Sequence, residues 1–255
     1  MGGQDYVPYS KSGCMWYVSR TEELAMTIKM YDLAGSDNNR RFSPFCWRTK
    51  MALAHKGLEV ETIPWHFTEK NVIAFAGSER VPVIVDGSRA VKDSWAIANY
   101  LEDTYPDRPS LFGGAAGRAL SRFYNTWADG VMHPGIARLI VKDICEHIGP
   151  ADVEYFRKDR EARFGMKLEE VCAGREERVN AFRQSLEPLR QVVAAQSFLG
   201  GDAPLYPDYI AFGAFQWSRA ISPFVLLEPS DPINQWRQRM LDLYGGLARK
   251  APGYW

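Results

Sequence analysis

The sequence predicts two domains of different structural class, an N-terminal α/β domain followed by an all-α domain. Over residues 25–108, segments in which apolar and polar residues alternate are interspersed with segments in which apolar residues recur with the period of a helix. A linker rich in proline and glycine follows over residues 109–117, and strand-like alternation does not return in residues 118–255. With 255 residues, the chain is long enough for two small domains and a sizeable core.

The first half of the α/β domain reads as strand, helix, strand. Residues 26–33, MTIKMYDL, alternate as a strand does. A helix begins after Ser43, because serine is a good N-cap and Pro44 suits the first helical position. Gly57 suits the residue just past the end of that helix, and residues 58–65, LEVETIPW, read as a second strand.

The second half of this domain reads as a hairpin and a helix. ERVPVIVDG and RAVKD form two strands joined by a turn at Asp86 and Gly87. SWAIANYLEDTYP is an amphipathic helix that Asp93 or Ser94 caps and that ends before Pro106. This order, βαβ followed by ββα, is the thioredoxin-like arrangement.

Pro82 interrupts an otherwise strong strand pattern, VPVIV. Proline cannot donate a hydrogen bond to a strand ladder, so it is confined to edges, bulges or strand starts. Two explanations remain open from the pattern alone. One is a trans proline on an edge strand, and the other is a cis Val81–Pro82 bond at the beginning of the strand. The cis form would leave the flanking backbone free to pair with an extended ligand.

The C-terminal two thirds read as a series of helices. Residues 118–148 have helical period, with a break or kink predicted at Pro134. A charged segment follows, DVEYFRKDREARFGMKLEEV, and then a helix, REERVNAFRQSLEPLRQVVAAQ, that Pro188 should bend. PDYIAFGAFQWSRAI is apolar throughout and predicts a buried central helix. The last helix starts at an Asp-Pro cap in DPINQWRQRMLDLYGGLARK.

Composition argues against several classes of function. Lys plus Arg and Asp plus Glu both number 31, so nothing favours nucleic acid as a partner. The four cysteines and four histidines are scattered, so we expect reduced thiols, no metal and a cytoplasmic protein. No apolar run approaches the roughly 18 residues that cross a bilayer, and we expect no membrane partner. Residues 1–24 lack a signal-peptide core; they read as an extension or cloning remnant that should be poorly ordered.

The segment RFSPFCWRTK carries a Ser-x-x-Cys pattern at the start of the first helix. A Cys-x-x-Cys pattern there would indicate thiol redox chemistry, and Cys46 occupies the resolving position of such a motif. A single cysteine is more typical of a small buried hydrophobic residue that packs a helix against a sheet. Ser43 reads either as a helix cap alone or as a hydroxyl that stabilises a bound thiolate.

Four segments, SPFCWRTKMAL, ERVPVIVDG, KDSWAIANYLEDTYPDRPSLF and DLYGGLARKAPGY, resemble the cytosolic glutathione transferases. More narrowly, they are similar to the branch that includes the bacterial glutathione-dependent β-etherases of lignin breakdown and their fungal relatives. The resemblance runs from about residue 28 to the C-terminus. It implies the glutathione transferase fold, glutathione as co-substrate and a homodimer.

The resemblance also implies which residues bind glutathione. The Ser43 hydroxyl and the positive end of the first helix would ionise its thiol. Val81, beside Pro82, matches the residue whose backbone pairs with the cysteinyl part. Ser94 and the amides after it match the site of the γ-glutamyl carboxylate. Asp93 stands where the family usually has glutamate and would meet the ammonium group.

The remaining site candidates are less specific. Arg80 either holds the glycyl carboxylate or is a solvated surface arginine, and Trp65 or His66 could also face the glycyl end. The electrophile should bind between the domains, although aromatic residues at helical spacing are more often core. His133, beside the helix break, is the foremost polar candidate for a substrate contact. The candidate wall residues are Phe42, Trp47, Phe67, Tyr124, Trp127, Met132, His133, Trp217 and Arg219.

One position departs from the family pattern. In the family a serine or threonine typically caps the buried helix, three residues before an aspartate that Asp208 matches. Here the cap position holds Leu205, and leucine is a poor N-cap. Asp202 and the helix start at Pro207 are the candidates to compensate.

Three functions remain open at this point. The first is a glutathione transferase acting on apolar aromatic electrophiles, in detoxification or in the catabolism of aromatic compounds. Its sharper form cleaves β-aryl ethers of lignin-type compounds. The second is a glutathione-dependent thiol oxidoreductase that uses Cys46. The third is a non-catalytic binder of aromatic ligands on the same fold.

Overall fold

A computed structural model describes residues 27–255, so the prediction of a poorly ordered extension over residues 1–24 lies outside the described residues. A four-stranded sheet with the order β2-β1-β3-β4 forms the first domain. Its strands are β1 (Ile28–Leu33), β2 (Val60–Trp65), β3 (Val83–Asp86) and β4 (Arg89–Lys92). β1 pairs with β2 in parallel and with β3 antiparallel, and β3 and β4 form the predicted hairpin. The turn consists of Gly87 and Ser88, one residue later than predicted, because Asp86 still pairs with Arg89.

Two helices pack against this sheet, α1 (Pro44–His55) and α2 (Ser94–Thr104). Residues 46–53 of α1 are all buried, because the sheet covers one side of this helix and the second domain covers the other. A Cβ atom at Gly213 would lie 2.4 Å from the carbonyl oxygen of Pro44, so the absence of a side chain permits the close contact between the domains. The thioredoxin-like prediction is confirmed.

The second domain is helical, as predicted. The first predicted helix is a series of four pieces: α3 (Ala115–Trp127), a π-helical turn (Ala128–Met132), α4 (His133–Ile140) and a 3-10 segment (Val141–Glu146). Pro134 lacks the N–H group that a continuing helix would use, and the π turn directly before α4 accommodates this residue. The predicted break is therefore a local π distortion and not an interruption of the helical path.

The later helices are α5 (Pro150–Phe164), α6 (Leu168–Cys172), α7 (Arg175–Ser185), α8 (Glu187–Ala195), α9 (Tyr206–Ile221) and α10 (Pro232–Gly246). The bend predicted near Pro188 separates α7 from α8. Nearly every residue of α9 is buried, which confirms it as the central helix. Asp231 caps α10 by accepting a hydrogen bond from the Ile233 amide at 2.9 Å.

Asp208 replaces the missing cap of α9. The Leu205 side chain makes no capping hydrogen bond. One carboxylate oxygen of Asp208 accepts from the Leu205 and Gly200 amides, at 3.0 and 3.1 Å. The other accepts from the Leu199 amide at 2.8 Å and from Trp236 Nε1 at 2.9 Å. The carboxylate that the family pattern places three residues after the cap therefore joins α9, the preceding turn and α10.

In the part of the chain that the structure covers, no helix has both the length and the apolar composition needed to span a bilayer.

Candidate functional site

A cavity of about 600 Å³ lies between the two domains. The first domain contributes Ser43 and its neighbours at the start of α1, Trp65 at the end of β2, and Arg80 and Val81 before β3. The second domain contributes residues of α4, α5 and α9. The aromatic side chains that line it are Phe42, Phe45, Trp65, Phe67, Tyr155, Phe156, Phe164 and Trp217.

Ser43 is the N-cap of α1 and faces this cavity, although its residue surface is only 4% exposed. Its backbone is extended, and its Oγ accepts a hydrogen bond from the Cys46 amide at 3.2 Å. That bond fixes the position of the oxygen, while the hydroxyl hydrogen can still be donated to an acceptor in the cavity. The N-terminal amides of α1 add a positive partial charge at the same place.

Val81 and Arg80 line the same cavity as Ser43. Of the two alternatives that the sequence left open, the Val81–Pro82 bond adopts the cis form. Pro82 is buried behind Val81, and its carbonyl oxygen accepts from the Asp93 amide at 3.3 Å. The segment before β3 and the start of α2 are therefore adjacent.

Asp93, and not Ser94, is the N-cap of α2. Its carboxylate accepts from the Trp95 and Ala96 amides, at 3.0 Å each, and its φ of 72° is unusual for a residue with a side chain. Ser94 is buried, and its carbonyl oxygen accepts from the Tyr206 hydroxyl at 2.8 Å. Asp93, Ser94 and Pro82 are not among the lining residues of the cavity, and Asp93 is exposed beside the segment that contains Val81.

Four of the predicted wall residues line the cavity: Phe42, Phe67, His133 and Trp217. Phe42 and Phe67 are in ring contact, with centroids 6.1 Å apart. The His133 ring makes an edge contact with Trp217 and a closer one with Phe45, at 5.0 Å. The structure thus gathers these residues onto one surface from the segment before α1, α1 itself, the loop after β2, α4 and α9.

Trp47, Tyr124 and Trp127 are not among the lining residues of the cavity, contrary to expectation. Trp47 is buried, its indole N–H donates to the Arg41 carbonyl at 2.9 Å, and the Lys50 ammonium lies over its ring. Tyr124 and Trp127 pack on each other, with ring centroids 5.3 Å apart. These three side chains therefore contact other protein groups and do not form the cavity surface.

Met132 and Arg219 also lie away from the cavity lining. Met132 is buried in the core. The Arg219 guanidinium donates to the Ala251 carbonyl at 3.0 Å and so holds the C-terminal segment against α9. Both residues therefore contribute to packing and not to the surface of the cavity.

A polar network lies beside His133. The buried Arg48 guanidinium donates to Asn125 Oδ1 at 3.0 Å and to Asp129 Oδ1 at 2.8 Å, and it lies 3.3 Å from His133 Nε2. His133 Nδ1 lies 3.2 Å from the same Asp129 oxygen. Burial alone would raise the pKa of the Asp129 carboxyl, but the hydrogen bond with His133 and the Arg48 charge outweigh it and hold that pKa at about 2.

Cys46 is fully buried between α1 and the sheet. Burial raises the pKa of its thiol well above the ordinary value, and the nearby Asp32 carboxylate raises it further. A thiol without access to solvent and with a raised pKa is a poor nucleophile. This position favours packing over redox chemistry.

Trp65 and His66, although neighbours in sequence, have different surroundings in the structure. Trp65 lines the cavity, and its indole N–H donates to the Glu69 carbonyl at 2.8 Å. The His66 ring is held in the loop by the Glu69 carboxylate, 3.0 Å from Nδ1, and by the Gly35 carbonyl, 3.2 Å from Nε2. His66 therefore orders the loop, whereas Trp65 faces the cavity.

The sequence analysis did not predict the contribution of α5. Five residues of this helix line the cavity: Tyr155, Phe156, Arg160, Arg163 and Phe164. They recur at helical spacing within the segment read as merely charged, so they share one face of the helix. That periodicity is the signal that could have identified them. Thr68, in the loop after β2, donates both its amide and its hydroxyl to the Asp152 carboxylate of α5, at 2.9 Å each.

Within residues 27–255, no three histidine, cysteine, aspartate or glutamate side chains gather as metal ligands.

Comparisons with known sequences match both domains. The family description "Glutathione S-transferase, N-terminal domain" matches residues 42–104, and "Glutathione S-transferase, C-terminal domain" matches residues 119–225. Glutathione S-transferase U28 of Arabidopsis thaliana is 25% identical over 183 residues, 70% of each chain. The probable glutathione S-transferase GSTU6 of Oryza sativa subsp. japonica is 23% identical over 77% of this chain and 80% of that relative.

Solved structures agree with the sequence matches. Glutathione transferase GSTFuA3 from Phanerochaete chrysosporium aligns with a TM-score of 0.71 and 28% identity over 87% of this chain and 93% of its own. CsGST63524 of Ceriporiopsis subvermispora, a glutathione S-transferase in complex with glutathione, aligns with a TM-score of 0.71 and 24% identity. That alignment covers 88% of this chain and 94% of the neighbour, and it shows a shared fold.

Proposed function

The chain belongs to the glutathione S-transferase family, and from that premise we propose that it ionises glutathione at Ser43 and transfers it to aromatic electrophiles. One observation carries this proposal. Ser43 caps a buried helix and faces a cavity between the domains that is lined by eight aromatic side chains, four from each domain. A thiol held at Ser43 would therefore face a site that suits an apolar aromatic molecule.

Ser43 would act by stabilising the thiolate. A free thiol has a pKa of about 8.5, so only about 3% of it is ionised at pH 7. Lowering that pKa by about 2 units corresponds to roughly 2.7 kcal/mol and makes most of the thiol nucleophilic. The hydroxyl supplies a hydrogen bond to the sulfur anion, and the N-terminus of α1 supplies partial positive charge. A serine does not compete with the thiolate as a nucleophile.

The remaining parts of glutathione have candidate partners close by. We assign the backbone of Val81 to the cysteinyl part and Arg80 to the glycyl carboxylate, because both residues line the cavity beside Ser43. The N-terminus of α2, with Ser94, would bind the γ-glutamyl carboxylate. Asp93 already accepts two amide hydrogen bonds, and its remaining lone pairs would accept from the ammonium group.

The sharper form of the proposal is cleavage of a β-aryl ether. The thiolate would attack the carbon next to a ketone, a carbon–sulfur bond would form, and the carbon–oxygen bond would break. The phenolate would leave with the electron pair. Sequence segments that resemble the β-etherase branch support this reaction, and the Phe42, Phe45 and Trp217 rings offer surfaces for two aryl groups.

We also propose that the chain forms a homodimer through α3. Leu120 and Phe123 are 70% and 74% exposed, and their spacing of three residues places both on one face of the helix. Large apolar side chains grouped on a surface favour a protein partner.

The central experiment compares the Ser43→Ala variant with the wild-type protein. We expect the variant to lose about 3- to 25-fold in kcat/KM for 1-chloro-2,4-dinitrobenzene at pH 7, because a rise of about 1–2 units from a thiol pKa of about 6.5 lowers the thiolate fraction by that factor. The ultraviolet absorbance of the bound thiolate should titrate at a correspondingly higher pH. The Ser43→Thr variant, which keeps a hydroxyl, should retain most of the activity, and the Cys46→Ala variant should retain the pKa of the bound thiol.

Other outcomes would select other functions. An α-aryloxy ketone that releases no phenol, while halogenated aromatics turn over, would remove the etherase form. Loss of disulfide reduction in Cys46→Ala, with Ser43→Ala unaffected, would establish the oxidoreductase instead. Tight glutathione binding without turnover of any electrophile would establish a binding protein.

A further inference from the structure

Three guanidinium groups line one part of the cavity. Arg80 comes from the loop before β3, and Arg160 and Arg163 come from α5. The Arg160 guanidinium carbon lies 5.0 Å from the centroid of the Phe156 ring, so this charge is placed against the aromatic wall. Arg163 is half-exposed, at 47% of its side chain, and reaches the cavity from the same helix.

The positive charges of this cluster exceed the negative ones. Among the described residues, the ion pairs of these three arginines involve a single carboxylate, Asp159, which contacts both Arg160 and Arg163. The two other carboxylates that line the cavity are already paired with cations outside the lining. Glu79 pairs with Lys70 at 3.2 Å, and Asp129 pairs with Arg48 at 2.8 Å.

The excess charge has a cost within the protein. Burial lowers the pKa of the Arg160 guanidinium, and the neighbouring Arg163 and Arg80 charges lower it further, against the opposite effect of Asp159. A bound anion would relieve this repulsion and would accept charge-assisted hydrogen bonds from the guanidinium groups.

We propose that Arg160 and Arg163 form an anion subsite that binds a carboxylate carried by the aromatic electrophile, so that the preferred substrates are aromatic acids. The assignment deepens the proposed transferase function and rests on it for the reaction, although not for the binding. Under this proposal the cavity binds two ligand carboxylates at separate places. The glycyl carboxylate of glutathione binds at Arg80 on the first domain, and that of the electrophile binds on α5 beside the aromatic rings.

A matched pair of electrophiles tests the charge preference. 4-Chloro-3,5-dinitrobenzoate and its uncharged amide share the ring and the leaving group. In both, the thiolate forms a carbon–sulfur bond at the ring carbon, chloride leaves with the electron pair, and the thiol proton goes to solvent. We expect kcat/KM, divided by the uncatalysed rate with glutathione, to favour the acid by about tenfold or more, a ratio equal to about 1.4 kcal/mol.

Substitutions on α5 test which residues cause the preference for the acid over the amide. Arg160→Gln and Arg163→Gln should bring the acid-to-amide ratio close to one by raising KM for the acid, with KM for glutathione unchanged. Arg163 is the variant that should fold without difficulty, since its side chain is half-exposed. Lys158→Gln removes a charge from the exposed face of α5, outside the cavity lining, and should keep the wild-type ratio.

A binding measurement separates this proposal from the transferase function. Quenching of tryptophan fluorescence by unreactive 4-amino-3,5-dinitrobenzoate and its amide needs no turnover, and Trp65 and Trp217 line the cavity. Tighter binding of the acid in wild type, lost in Arg163→Gln, would support the subsite even if no electrophile reacted. Equal binding of acid and amide would overturn it. A raised KM for glutathione with both electrophiles in Arg163→Gln would also overturn it and assign these arginines to glutathione.

Discussion

At the scale of single residues, Arg48 joins the two domains next to the cavity, through Asp129 and His133 of its lining. It lies on α1 close to Ser43, and its side chain, 1% exposed, is hydrogen-bonded to Asn125 and Asp129 of the second domain. Both ring nitrogens of His133 face partners within this network. His133 therefore presents a fixed ring to the cavity, and its nitrogens are engaged by the protein before a substrate arrives.

The pKa of His133 reflects the same contacts. Burial lowers this pKa, the hydrogen bond to Asp129 opposes the shift, and the Arg48 charge lowers it again. Since the folded state holds the pKa below the ordinary value of about 6.5, acidification below that pH protonates the unfolded chain preferentially. This contribution to stability is complete above about pH 6.5 and declines as the pH falls through the lowered value.

Replacing Arg48 by methionine tests this network. We expect the His133 pKa to rise, because a neighbouring positive charge is removed, and NMR titration of the histidine ring protons measures it. Urea unfolding should show a loss of about 1–3 kcal/mol, since Asn125 and Asp129 lose a buried donor. Arg249→Met, which breaks an exposed pair with Asp242, is the control and should cost less than about 1 kcal/mol. A His133 pKa that stays constant or falls would contradict this account.

At the scale of helices and strands, three helices from the two domains, α1, α5 and α9, line the site. α1 presents its N-terminus to the cavity because Ser43 and Pro44 encode a helix start, and α9 approaches closely because Gly213 has no side chain. α5 lies across the loop after β2, where Asp152 accepts two hydrogen bonds from Thr68. The position of α5 determines which of its charged and aromatic side chains line the cavity.

The start of α9 depends on Asp208, which accepts four hydrogen bonds while fully buried. Asp208→Asn replaces one carboxylate oxygen by an NH2 group, so two buried donors lose their acceptor. We expect a loss of about 2–6 kcal/mol in the free energy of unfolding, at about 1–3 kcal/mol for each of the two donors. Asp202→Asn, on the exposed turn just before α9, is the matched control. Equal stability of the two variants in urea would refute the assigned role of Asp208.

At the scale of the whole molecule, the proposed dimer gives α3 a partner. Replacing both Leu120 and Phe123 by glutamate should shift the mass measured by light scattering toward the monomer, because the contact face would carry buried charge. Val225→Glu is the control, since Val225 is 53% exposed on a different part of the second domain. A wild-type protein that is monomeric at high concentration would contradict the proposal, as would a dimer that survives both substitutions.

The two domains also explain why the wall of the cavity was hard to predict. Trp47, Tyr124 and Trp127 have the same residue types as the lining aromatics, but their partners lie within the fold. Which side of a helix faces the cavity depends on how the two domains pack, and the type of a residue does not reveal this. The sequence pattern therefore identifies aromatic candidates but does not distinguish residues of the cavity wall from residues of the hydrophobic core.

The sequence by itself determined the fold class, the helix start at Ser43, the existence of the hairpin and the family. These features depend on residues close together in the chain, where period, capping and turn chemistry act locally. Tertiary structure alone decided that Val81–Pro82 is cis, that Asp208 compensates for Leu205, and that α5 brings Arg160 and Arg163 to the cavity of Ser43 and Arg80. Those outcomes depend on contacts between segments far apart in sequence, and packing of the two domains sets them.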